Sequence, residues 1–155
     1  LGSQPAPRPR RRRRERPESD VPDSGHAGRP ADRFLLLEDM ETRSSSNRLR
    51  IRVTLEFAGR PYRGVAVDVD TETGRARAAA RATLDAAMGA VPGPRLALDA
   101  LQIQALFGRR FVALSVEAAE ARRVAQLSAM NEIDGSIEHA AATAALRAVE
   151  RWITA

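Results

Sequence analysis

At 155 residues the chain has the length of a single domain, and its formal charge of +5 is carried entirely by arginine, with 25 Arg and no Lys. The absence of cysteine excludes disulfides and thiolate chemistry. No apolar run approaches the roughly 18 residues that a membrane span requires, so a non-membrane, cytoplasmic protein is the expectation.

Residues 1–32 read as a disordered Arg/Pro-rich tail. They hold eight Arg against five acids and almost no large apolar side chains, so they cannot bury enough surface to offset their ordering entropy. Within this tail Arg10, Arg11, Arg12, Arg13 and Arg14 form a cluster suited to phosphates of nucleic acid or to an acidic protein. The sequence opens on Leu1 rather than Met, so a longer parent chain stays open.

From Phe34 the pattern changes. Phe34 to Met40 reads as a short first strand, followed by a polar loop centred on Ser44-Ser45-Ser46-Asn47. Residues 49–57 alternate strictly, with Leu49, Ile51, Val53, Leu55 and Phe57 on one face, which predicts a half-buried strand. Ala58-Gly59-Arg60-Pro61 is turn chemistry, and Tyr62 to Val69 resumes an extended pattern, so a hairpin is expected with its apolar faces together. Asp70 to Thr73 supplies helix-start residues, Arg75 to Val91 runs as an alanine-rich helix, and Pro92-Gly93-Pro94 ends it.

The same order then recurs. Leu96 to Ala105, Phe111 to Val116 and Val124 to Met130 read as three strands, Asn131 to Ser136 as a capping loop, and Ile137 to Ile153 as a second alanine-rich helix with Trp152 as a core or interface anchor. Ala78 to Leu84 matches Ala140 to Leu146 at an offset of 62 residues, and the strands align near 61. The expected fold is therefore α+β: two tandem, pseudo-two-fold βββα units, residues 33–94 and 95–155, each an antiparallel sheet with a helix on one face. A three-stranded sheet open on one face is marginal alone, and the helix buries it.

Catalytic constellations do not assemble. His26 lies in the tail, and His139 follows Glu138 near a helix start without a nucleophile at matching spacing. One His and no Cys in the folding region leave no compact metal-ligand set, and no Lys-bearing phosphate loop is present. The expectation is a non-enzymatic domain with no cofactor and no metal. Asp68 and Asp70, two apart at a strand end, face the same way; strand-end and N-cap duty for Asp70 or Thr71 is the leading reading, and a cation or acid–base role the alternative. The two strand-to-helix loops, with Asp68, Asp70, Thr71 and Gly74 in the first and Asn131, Asp134, Gly135 and Ser136 in the second, place free helix N–H donors where a small carboxylate or phosphate would bind.

Val53 to Gly64, leading through Asp70-Thr71 into Ala78 to Leu84, and Ser136 to Leu146 give residues 33–153 a pattern that resembles the regulatory domain of 2-isopropylmalate synthase. That resemblance implies a duplicated βββα fold, dimerisation, and an amino-acid ligand near the eight loop residues just named. A second pattern, Gly59 to Gly64 followed by Arg75, Arg77 and Arg81, resembles a double-stranded-RNA-binding domain, whose αβββα order residues 75–153 satisfy. It implies RNA binding, although the helix in the matching frame opens on Gly135-Ser136-Ile137-Glu138 without a basic cluster. A purely structural assembly domain is the third reading.

Overall fold

A computed structural model describes residues 34–154 of the chain. The expected tail, with Arg10 to Arg14, lies outside the described residues. Six strands and two helices follow in the order β1 (Leu36–Ser45), β2 (Arg48–Phe57), β3 (Arg60–Val69), α1 (Glu72–Ala90), β4 (Arg95–Leu106), β5 (Arg109–Glu120), β6 (Arg123–Glu132) and α2 (Ile137–Thr154). Two antiparallel three-stranded sheets, β1-β2-β3 and β4-β5-β6, are each followed by a helix. This is the expected α+β arrangement of two βββα units.

Two-residue turns close the hairpins. Ser46-Asn47, Ala58-Gly59 and Phe107-Gly108 all take positive φ, the handedness that matches strand twist. Ser44 and Ser45 accordingly belong to β1 and pair with Leu49 and Arg48 rather than forming a loop. A register break at Glu38 in β1 recurs at Asp99 in β4, 61 residues on. The offset then grows: β5 has 12 residues where β2 has 10, β6 starts 63 residues after β3, and the second helix start lies 65 after the first. The extra residues sit in the β5–β6 hairpin and the loop before α2.

Leu49, Ile51, Val53 and Leu55 of β2 are fully buried, as the alternation requires. In β3 the outcome differs from expectation. Register sets Gly64 opposite Val53, Ala66 opposite Ile51 and Asp68 opposite Leu49, so the small and polar residues face the helix while Val65, Val67 and Val69 point outward and are exposed. The cause is close approach. A Cβ on Gly64 would stand 2.1 Å from the Ala82 carbonyl oxygen and 2.4 Å from the Ala86 nitrogen, so α1 rests its backbone on β3. Its core-facing residues are mostly alanines, with Ala76, Ala78, Ala79, Ala80, Ala82 and Ala86 fully buried beside Thr83 and Leu84. Small side chains permit that spacing at no rotamer cost.

α1 lies on β2 and β3, α2 lies on β5 and β6, and the two helices pack against each other. A helix about 10 Å across covers about two strands spaced near 4.8 Å. The third strand of each sheet is consequently left part-open on its helix-facing side: Leu37 and Met40 in β1, and Leu98, Leu101 and Ile103 in β4. Trp152 is buried in α2, with the Arg123 guanidinium 4.1 Å from its ring centroid, a cation–π contact of about 0.5–1 kcal/mol.

Two glycine substitutions test this packing in opposite directions. Gly64→Ala should destabilise by about 1–3 kcal/mol or more, because backbone rather than a flexible side chain occupies the space. Gly89→Ala, on the exposed side of α1 where the nearest atom to a new Cβ is 3.8 Å away, should stabilise by about 0.5–1 kcal/mol. Denaturant unfolding of both variants checks the pair.

Candidate functional site

The two strand-to-helix loops are tied back in the same way. Asp70 N–H donates to the Asn47 carbonyl and Ile133 N–H to the Arg110 carbonyl, both at 2.8 Å. Thr71 is the N-cap of α1, its Oγ1 accepting from Gly74 N–H at 2.9 Å. Ser136 does the same for α2, accepting from His139 N–H at 3.0 Å. Of the two residues expected for the first cap, Thr71 holds it. Gly74 is buried against the turn: a Cβ there would meet the Val69 carbonyl oxygen at 2.0 Å.

Asp70 instead accepts from Ser44 of β1 and from Arg75 Nε at 2.7 Å. Arg75 also reaches Glu138 at 2.8 Å, and Glu138 accepts from Ser136 Oγ at 3.0 Å. One guanidinium therefore joins the first turns of both helices, and Arg110 adds a second tie to Glu72 at 2.7 Å. The loops meet at Asp70, Arg75, Glu138 and Ser136. Asn131, whose amide donates to the Glu132 carbonyl, Asp134 and Gly135 make no hydrogen bond or ion pair with the first loop among the described residues. Gly135 takes φ +95°, a turn requirement.

Asp68 points to the helix side of β3 and is held by both nitrogens of the Arg77 fork, at 2.8 and 2.9 Å, with Arg81 at 3.3 Å. Its Oδ1 also accepts the outward Val69 N–H at 2.7 Å. Asp68 and Asp70 thus engage separate arginines, and no group of three or more potential metal ligands occurs among the described residues.

These contacts shift the carboxyls. The Arg77 hydrogen bonds hold Asp68 below its ordinary value despite burial. Those from Ser44 and then Arg75 lower Asp70. Burial pulls Glu138 upward, but Arg75 and its other hydrogen bonds outweigh it, so the net shift is downward. Arg75 and Arg77 are raised by the same partners. Glu150, in contrast, is raised by burial.

Arg75, Arg77, Arg81, Glu138 and Ser44 are the residues that loop-by-loop reading missed. Arg75, Arg77 and Arg81 had instead carried the RNA-binding likeness, and here carboxylates engage all three. Compared with known proteins, the chain matches no family model and no curated protein.

Carboxyls depressed in the fold stabilise it above their unfolded pKa near 4, and that contribution disappears as pH falls through the folded value. Asp68→Asn should cost about 1–2 kcal/mol at neutral pH. The deficit should shrink as pH falls below the ordinary carboxylate range, where the parent carboxyl protonates as well. Thermal melts of parent and variant across that pH range test this; a deficit independent of pH would contradict the assignment.

Proposed function

We propose that this chain is a non-enzymatic interaction domain that self-associates, in the manner of the regulatory domain of 2-isopropylmalate synthase, and that it takes a small carboxylate or amino acid at the strand-to-helix loops. The observation that carries the self-association is the repeated deficiency of the two units. Each helix covers two strands of three, leaving Leu37 and Met40 in one sheet and Leu98, Leu101 and Ile103 in the other part-open. A cleft of about 610 Å³, lined by Leu101, Leu114, Ala129 and Arg151 among others, opens beside the second of these. Leu36 (51 % exposed) and Phe107 (95 % exposed) add large apolar surface. Apolar surface of this kind, rimmed by charge, is characteristic of protein interfaces.

The ligand part rests on the meeting of two helix first turns at Arg75, which bonds Asp70 and Glu138 beside the Thr71 and Ser136 caps. A carboxylate entering there competes with Asp70 and Glu138 for Arg75, so binding is expected to be modest. The non-enzymatic reading draws on the same pairing: Asp68, Asp70 and Glu138 are each engaged by arginines. For location, no helix among the described residues is long and apolar enough to cross a membrane, and a cytoplasmic site is proposed with the rest.

The RNA-binding reading draws less support. In its αβββα frame, the first turn of α2 contributes Glu138 rather than basic residues, and Arg77 and Arg81 are held by Asp68. The tail arginines and an acidic partner remain a separate proposal.

Sedimentation velocity over a concentration series should show a specific dimer, and a monomer up to the solubility limit would refute self-association. Thermal shift with amino acids and other small carboxylates should raise Tm by mass action. A flat response across the set would remove the ligand and leave the dimer standing. Duplex RNA binding that survives removal of the tail and falls steeply with salt would favour the RNA reading instead.

A further inference from the structure

Of the two edge strands in each sheet, the last is blunted by its own unit. In β3 the outward N–H of Val65 is taken by Asp85 of α1 at 3.1 Å and that of Val69 by Asp68. In β6 the carbonyls of Met130 and Ser128 are taken by Arg147 and Arg151 of α2, at 3.3 and 2.8 Å. The first third of β4 is occupied differently: Leu96 is buried, its N–H directed at Met88 Sδ, and Leu96 to Leu98 share a cleft over α1 with Val65 to Val67 of β3. On β1, among the described residues, no side chain hydrogen-bonds the free backbone edge. A ten-residue bare edge is a template for another strand.

The charges on β1 say which strand. Arg43 stands directly opposite Arg50 of β2, a destabilising like-charge pair. Neither arginine has a hydrogen-bond or ion-pair partner among the described residues, whereas Glu41, on the same outer face, pairs with Arg52 at 2.8 Å. If a second β1 runs antiparallel to the first about a two-fold axis through Thr42, Glu41 of each copy falls opposite Arg43 of the other. Met40 then faces Ser44 on the helix side, and the two sheets become one of six strands. The same register supplies a carboxylate to each Arg43–Arg50 pair. β4 offers no equivalent: beyond Asp99 it carries no charge to set a register.

We propose that the partner is a second copy of this chain and that the two join by β1-to-β1 pairing centred on Thr42. This rests on the self-association reading above and specifies its surface.

The full chain lacks cysteine, so Thr42→Cys introduces a single thiol on the axis, within the Cα separation a disulfide spans. Under mild oxidant it should yield covalent dimer far faster than Ala105→Cys on exposed β4. Arg43→Glu and Glu41→Arg should each weaken self-association by at least about ten-fold through like-charge contacts. An equimolar mixture of the two should recover it as a heterodimer. Cooperative thermal melts would show both variants folded, as expected for exposed positions.

A dimer that persists in both charge variants, with Thr42→Cys cross-linking no faster than Ala105→Cys, would overturn this pairing while leaving self-association intact. A parent chain that stays monomeric, whether or not its arginine face binds a polyanion, would overturn both.

Discussion

The contact of the α1 backbone with Gly64 sets the geometry of the first unit. Because a Cβ there would collide with Ala82 and Ala86, helix and sheet are closer than large side chains would allow, and the core is assembled from alanine on the helix and branched aliphatics on β2. Such a core gains dispersion contacts at low side-chain entropy cost, but it is thin. A helix of ordinary width seated on β2 and β3 cannot also cover β1.

Charge is distributed accordingly. Where β3 leads into α1, Asp68 and Asp70 are held by arginines of that helix, and Asp68 serves at once as ion-pair partner and as cap for an edge N–H. This satisfies the strand end. Arg75 joins the two units, bonding Asp70 of the first and Glu138 of the second where the helix starts meet. On the outer face of the first sheet the opposite holds: Arg43 and Arg50 face each other without an acid between them.

The architecture was legible because its signals are local. Alternation in β2, the Pro92-Gly93-Pro94 stop and the recurrence of element order each depend on neighbours in sequence, and each led to the element observed. The failures are equally physical. Ser44 and Ser45 read as loop because an edge strand with no burial on its free side requires no apolar alternation. The hairpin reads with its apolar faces together, whereas backbone contact at Gly64 turns Val65 and Val67 outward. Offsets of 62 for the helices and near 61 for the strands understated the lengthening of β5 and of the loop before α2, since alanine runs match at several registers. At the site, the caps were visible from Thr71 and Ser136, but the Asp68–Arg77 and Arg75–Glu138 pairs join residues 9 and 63 apart, and only the fold brings them together.

Duplication explains why the β1 edge stays open along its whole length. Two βββα units in one chain have four edge strands; α1 and α2 reach back to protect β3 and β6, each using side chains from its own unit. The linker of Val91 to Pro94 sets the start of β4 against Met88, so α1 shelters part of the second unit's first strand. No helix of the described chain stands in that relation to β1. A single unit would leave its first strand bare, and joining two in tandem shelters the start of the second but none of the first. The remaining β1 edge carries both signs of charge at a spacing of two residues, which is the arrangement that a strand needs to complement itself in antiparallel register.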